Sequence, residues 1–98
     1  MATYDFSSLY NHHEREVFAA VLAATDKHPN LALTNDILCD VACVALNRLP
    51  PRYIRHEVDF SFYMTGSERQ EIDNAINEAV TFAYQFVEAR TALRKNAA

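Results

Sequence analysis

The stretch Ala45-Leu46-Asn47-Arg48-Leu49-Pro50-Pro51-Arg52-Tyr53-Ile54-Arg55 carries an apolar helix into two prolines, with three arginines and a tyrosine around the break. Pro51 has no N–H, and its ring clashes with the carbonyl four residues back, so the helix cannot run through it. Pro50 and Leu49 each precede a proline and are pushed towards extended geometry. The helix through Ala45 and Leu46 therefore ends near Arg48 or Leu49. Between Val41 and His56 no acid occurs, although the chain of 98 residues carries net charge −4. A rigid turn with local charge +3 on an acidic protein is suited to an anion.

Upstream, Thr34 or Asn35 caps a helix over about Asn35 to Arg48, with Asp36 in its first turn. This helix is apolar on nearly all sides from Val41 to Leu46, and a helix apolar all round is buried. In a domain of this size, burial on every face implies a covering subunit, hence a homodimer. An earlier helix starts near Ser7 or Ser8 and runs to about Asp26. Leu9, His13, Val17, Ala20, Val21 and Ala24 form its stripe, and Lys27-His28-Pro29-Asn30 stops it.

Downstream, Val58, Phe60, Phe62 and Met64 alternate with Asp59, Ser61, Tyr63 and Thr65, the period of a short strand. A last helix opens with Thr65-Gly66-Ser67-Glu68-Arg69-Gln70, where Thr65–Glu68 and Ser67–Gln70 both fit the capping-box spacing. Its seam is Ile72, Ile76, Ala79, Ala83 and Phe86, continued by Arg90 and Leu93. The expected fold is mainly α: a small three- to four-helix domain with one short extended or β segment after the Pro-Pro turn, homodimeric. It is one domain over residues 1–98, frayed over about 1–6 and 95–98.

Half the residues are apolar, with five tyrosines and six phenylalanines, so the chain is globular rather than disordered. No run of eighteen apolar residues spans a membrane, and Met1-Ala2-Thr3-Tyr4-Asp5 lacks a basic start and an apolar signal core. A cytoplasmic location is expected. Acids outnumber bases by 13 to 9, against direct DNA binding, which needs a basic face. Gly66 is the only glycine, so phosphate-cradling loops of the Walker or dinucleotide type are excluded. His12, His13, Glu14 and Glu16 share one helix and Cys39 and Cys43 another, but nothing orients a Cys–His pair for nucleophilic work. The chain is not expected to be an enzyme.

The candidate ligand-binding residues are Asn47, Arg48, Arg52, Tyr53 and Arg55. Guanidinium groups grip phosphate oxygens bidentately, and such charge-assisted bonds are about twice as strong as neutral ones. Arginine also reads the O6/N7 edge of guanine, and both arginine and tyrosine stack on bases. The plainer reading makes Arg48 and Arg52 caps of a helix C-terminus, with Tyr53 and Ile54 returning to the core. Asn47 has the same two faces, as a helix-end cap or a base contact.

The run Leu46-Asn47-Arg48-Leu49-Pro50-Pro51-Arg52-Tyr53 resembles the signature of the late competence protein ComFB family. Leu9-Tyr10-Asn11-His12-His13-Glu14 is similar to that family's N-terminal Asn-Tyr-Tyr-Glu element, with His12 and His13 in place of the tyrosines. The likeness extends from about Leu9 to about Phe86. It implies a small, mostly helical dimer that binds a cyclic dinucleotide, chiefly cyclic di-GMP, and relays the signal to a partner protein in competence, pilus or motility control. The residues themselves do not separate cyclic di-GMP from cyclic di-AMP or a linear dinucleotide, nor say which arginine meets phosphate and which meets base. The rival is a ligand-free dimeric adaptor whose arginines pair with acids of the partner subunit.

One branch of the family carries a cysteine-bound zinc, with more cysteines than this chain has. Cys39 and Cys43, with His12, His13 or His56 brought near, are the candidate ligands of a four-ligand zinc site. The expectation is no metal and no cofactor, both thiols being small core residues.

Overall fold

The computed structural model describes residues 3–56 and 64–97, with the side chains of 95–97 left aside. Strand β1 (Tyr10–Asn11) leads into helix α1 (His13–Ala23), a 3-10 turn (Thr25–Lys27), helix α2 (Asn35–Arg48), strand β2 (Tyr53–Ile54) and helix α3 (Gly66–Ala97). The strands pair antiparallel, Tyr10 opposite Ile54 and Asn11 opposite Tyr53. The mainly helical expectation holds.

Helix α2 has the bounds its sequence implies. Thr34 Oγ1 accepts from the Ile37 N–H at 3.2 Å, a side-chain N-cap. Its other end stops at Arg48, and Leu49 turns to φ −96°, ψ 137°, the extended geometry a following proline demands. At the start of α3, Thr65 Oγ1 accepts from the Glu68 N–H at 3.1 Å.

Three expectations are corrected. The first helix begins at His13, not at Ser7 or Ser8, because Ser7 and the segment after it are used elsewhere. The Ser7 N–H and Oγ both donate to the Asp5 carboxylate at 2.9 Å, and the Leu9 N–H closes a turn on the Phe6 carbonyl at 3.0 Å. The chain then spends Tyr10 and Asn11 on the β1–β2 pair. The α-helix also ends at Ala23, its last turn tightening into the 3-10 segment.

Within the single chain, helix α2 is not covered all round. Val41, Ala42 and Ala45 are buried and Val44 and Leu46 half-buried, but Cys39 and Cys43 are exposed, so the thiols are not core residues.

The seam of α3 is displaced. Ile76, Ala79 and Ala83 are buried as expected and Ile72 half-buried, but Phe86 and Leu93 are exposed, Leu93 at 69%. Val80, Tyr84 and Val87 take their place in the core. A straight helix drifts about 20° per heptad against a strict seven-residue repeat, which carries the buried stripe round from the 79/83 side to the 80/84/87 side. The predicted alternating strand at Val58–Met64 lies outside the described residues, apart from Met64.

The core is the meeting of these faces: Val17 and Val21 of α1, Val41 and Ala45 of α2, and Ala83 and Tyr84 of α3. Tyr84 is fully buried, and its hydroxyl donates to the Val21 carbonyl at 2.6 Å. The His28 ring stacks on the Tyr84 ring at 4.0 Å and 3°, and its Nδ1 pairs with the Glu88 carboxylate. The bundle thereby closes the loop between α1 and α2 onto α3.

Candidate functional site

Two segments more than thirty residues apart in sequence are joined at the Pro-Pro turn by backbone hydrogen bonds and one side chain. The His12 N–H donates to the Arg52 carbonyl at 2.7 Å. Asn11 Oδ1 accepts twice, from the His13 N–H at 3.2 Å and from the Arg52 N–H at 3.1 Å. A single amide oxygen therefore satisfies an orphan donor at the start of α1 and pins the chain as it leaves the prolines. No side chain of His12, the formal N-cap, caps that helix; Asn11 supplies the acceptor.

On this clasp Arg52, Tyr53 and Arg55 are all exposed, Tyr53 at 64%. Tyr53 does not return to the core; Ile54 is half-buried. Arg48, one turn earlier, is also exposed, with its guanidinium carbon 3.8 Å from the centroid of the Phe82 ring. That cation–π stack ties the end of α2 to α3. It uses the flat face of the guanidinium and leaves the N–H donors at its rim. Asn47 Nδ2 donates to Cys43 Sγ at 3.6 Å, so Asn47 lies back along α2 rather than beside Tyr53. Arg52, Tyr53 and Arg55 thus lie exposed along the segment that leaves the prolines, and Asn47 and Arg48 on the helix that enters them.

Beneath the turn lies a cavity of about 370 Å³, lined by His13, Pro50, Pro51, Arg52, Glu71 and Ile72 among others. His13 is a buried histidine, and its Nδ1 has no hydrogen-bond partner among the described residues. Burial holds its pKa below the ordinary histidine value; neighbouring His12 and Arg52 act the same way, against a raising hydrogen bond to the Pro50 carbonyl. A neutral ring is the form this site favours.

Asn11, His13 and Glu71 belong to the site although the sequence does not single them out as ligand-binding. Asn11 carries a signal, an asparagine two residues ahead of the first helical residue, where its side chain reaches a free N–H. Glu71 carries none, since only the fold brings α3 under the turn.

Cys39 and Cys43 are exposed on α2, and among the described residues no three of His, Cys, Asp and Glu gather to hold a metal. Both cysteines border an open apolar groove of about 630 Å³ between α1 and α2, with Phe18, Leu22, Leu38 and Leu46. Leu22 is 61% exposed there. No helix among the described residues is long and apolar enough to cross a membrane.

No curated protein matches the chain. The family model of late competence development protein ComFB matches residues 10–91, from the first residue of β1 into the last turns of α3. That span holds both halves of the clasp and all three helices that support it, and the chain belongs to the late competence development protein ComFB family.

Proposed function

We propose that this chain is a cyclic dinucleotide receptor, with cyclic di-GMP as its ligand, that works as a homodimer and relays the signal to a partner protein. Family membership implies a competence-related role; pilus or motility control are the related processes in which such a relay serves. The observation that carries the reading is the exposed trio Arg52, Tyr53 and Arg55 on a turn held by two prolines and the Asn11 amide. Arginines on a fixed backbone lose little entropy on gripping a phosphate. Tyr53 offers a ring for base stacking. Arg48 adds donors from its rim, and Asn47 stands at the edge of the site. The role is binding, not catalysis, with no cofactor. No DNA or membrane partner is proposed, and the location is cytoplasmic.

The dimer reading rests on the α1–α2 groove, since exposed apolar side chains gathered in one place mark contact surfaces. That groove also supports the second reading, a ligand-free dimeric adaptor.

Thermal unfolding with cyclic di-GMP, against cyclic di-AMP and GTP, tests the proposal. At a hundredfold excess over Kd, a ligand of the native state adds about 2.7 kcal/mol, on the order of 10–20 °C for a domain this small. The receptor reading expects that shift, and its loss in Arg52→Ala and Arg55→Ala with the unliganded Tm kept. No shift with any nucleotide up to about 1 mM would leave the adaptor.

A further inference from the structure

Resting on the receptor reading above, we propose that the cavity beneath the Pro-Pro turn is a base-reading subsite, in which the Glu71 carboxylate accepts hydrogen bonds from N1–H and N2–H of one guanine. The cavity, about 370 Å³, lies at the low end of the range of small-molecule sites, about 300–1,000 Å³. It takes one base and leaves the sugar-phosphate ring outside, where Arg52 borders the cavity and Tyr53 and Arg55 follow it along the turn.

The chemistry of the wall selects the base. Glu71 sits on α3, exposed, and lines the same cavity as Arg52. A carboxylate beside a phosphate site repels the phosphate; facing the Watson–Crick edge of guanine it is well used. An ionised carboxylate only accepts hydrogen bonds. Guanine offers two adjacent donors on that edge, whereas adenine sets its N1 acceptor beside the N6 donor and meets the carboxylate with one repulsive contact.

His13 supplies the second, independent observation. It is buried, lines the cavity, and its Nδ1 lacks a partner among the described residues. Buried polar atoms without partners are rare in folded proteins, and each calls for a ligand or water to satisfy it. A polar edge of the seated base does so. Pro50 and Pro51 form the rigid side of the cavity, so the subsite exists before the ligand arrives and little is spent on ordering it.

The test is isothermal titration calorimetry of cyclic di-GMP and cyclic di-AMP with the wild-type chain, Arg52→Ala and Glu71→Gln. Glutamine keeps the shape but puts an amide donor against a guanine donor. The wild type is expected to prefer cyclic di-GMP. Glu71→Gln should weaken cyclic di-GMP at least tenfold while changing cyclic di-AMP less than about threefold, since the hydrogen bonds lost are charge-assisted. Arg52→Ala should weaken both. Circular dichroism of the variants controls for folding, which an exposed glutamate on a helix surface does not determine. If the wild type binds cyclic di-GMP and Arg52→Ala abolishes it, yet Glu71→Gln keeps affinity and preference, the subsite is wrong and the receptor stands. Equal binding of both dinucleotides by the wild type would likewise overturn the subsite and spare the receptor. If the wild type binds neither, the receptor reading itself is overturned.

Discussion

Asn11→Ala removes one oxygen that serves two backbone donors, and its cost follows from the geometry. The bond from the His13 N–H, at 3.2 Å, is a helix-start cap, and losing such a cap costs about 1 kcal/mol. The bond from the Arg52 N–H, at 3.1 Å, is an ordinary hydrogen bond with a net value of about 1 kcal/mol. The sum is about 2 kcal/mol, which lowers Tm by roughly 8–16 °C in a domain of this size. The fold should survive, because the core residues Val17, Val41 and Tyr84 lie elsewhere. The assay is a thermal scan combined with amide exchange at Arg52 and His13. Both amides should exchange several-fold faster in the variant, while amides in the middle of α2 change only as far as global stability falls. Asn11→Asp, which keeps the acceptor, should retain most of the stability at neutral pH. If Asn11→Ala moved Tm by less than about 2 °C and left the Arg52 amide as protected as before, Asn11 would not be what holds the turn.

Further outcomes concern Tyr84, His13 and the two cysteines. Tyr84→Phe removes the hydroxyl that donates to the Val21 carbonyl; the Ala24 N–H still donates to that carbonyl at 3.3 Å, so the loss in urea unfolding should be near 1 kcal/mol. Tyr84→Ala, which empties the fully buried ring site, should cost about 3–5 kcal/mol and threaten folding. His13 sets a pH slope. Its folded pKa lies below its unfolded value, so the unfolded chain takes up the proton first as pH falls. Stability should be fully present above about pH 6.5, the ordinary histidine value, and decline as pH drops through the depressed folded pKa. In denaturant titrations between pH 5 and 8, His13→Phe should remove that part of the slope; an unchanged slope would show that His13 is not held neutral. Cys39 and Cys43 should both react fast with an aromatic disulfide in dilute protein, since both are exposed. Raising the protein concentration should slow both together if the α1–α2 groove is a contact between copies, and rates independent of concentration would rule that groove out as one.

Much of this protein is legible from local rules. The bounds of α2 follow from Thr34 and from Pro50-Pro51, because capping and proline sterics act within a few residues. The start of α3 at Thr65 is legible for the same reason. The cationic turn follows from charge, and the family from a contiguous signature, whereas the exposure of Tyr53 does not, since the sequence equally allows its return to the core. What spacing cannot carry is which distant segment meets which. Local signals misplace the start of α1 because Tyr10 and Asn11 are claimed by Tyr53 and Ile54, a pairing that no window around Ser7 contains. Heptad spacing sets the α3 seam one step off because a regular helix of 3.6 residues per turn rotates a seven-residue repeat, and only the packing of α1 and α2 selects Val80, Tyr84 and Val87 over Phe86 and Leu93. Sequence by itself determined a mainly helical domain, a cationic turn after two prolines and the family. Tertiary structure alone decided that Asn11 clasps that turn and that His13 and Glu71 share a cavity beneath it, because contacts between segments depend on how the helices pack rather than on any local preference.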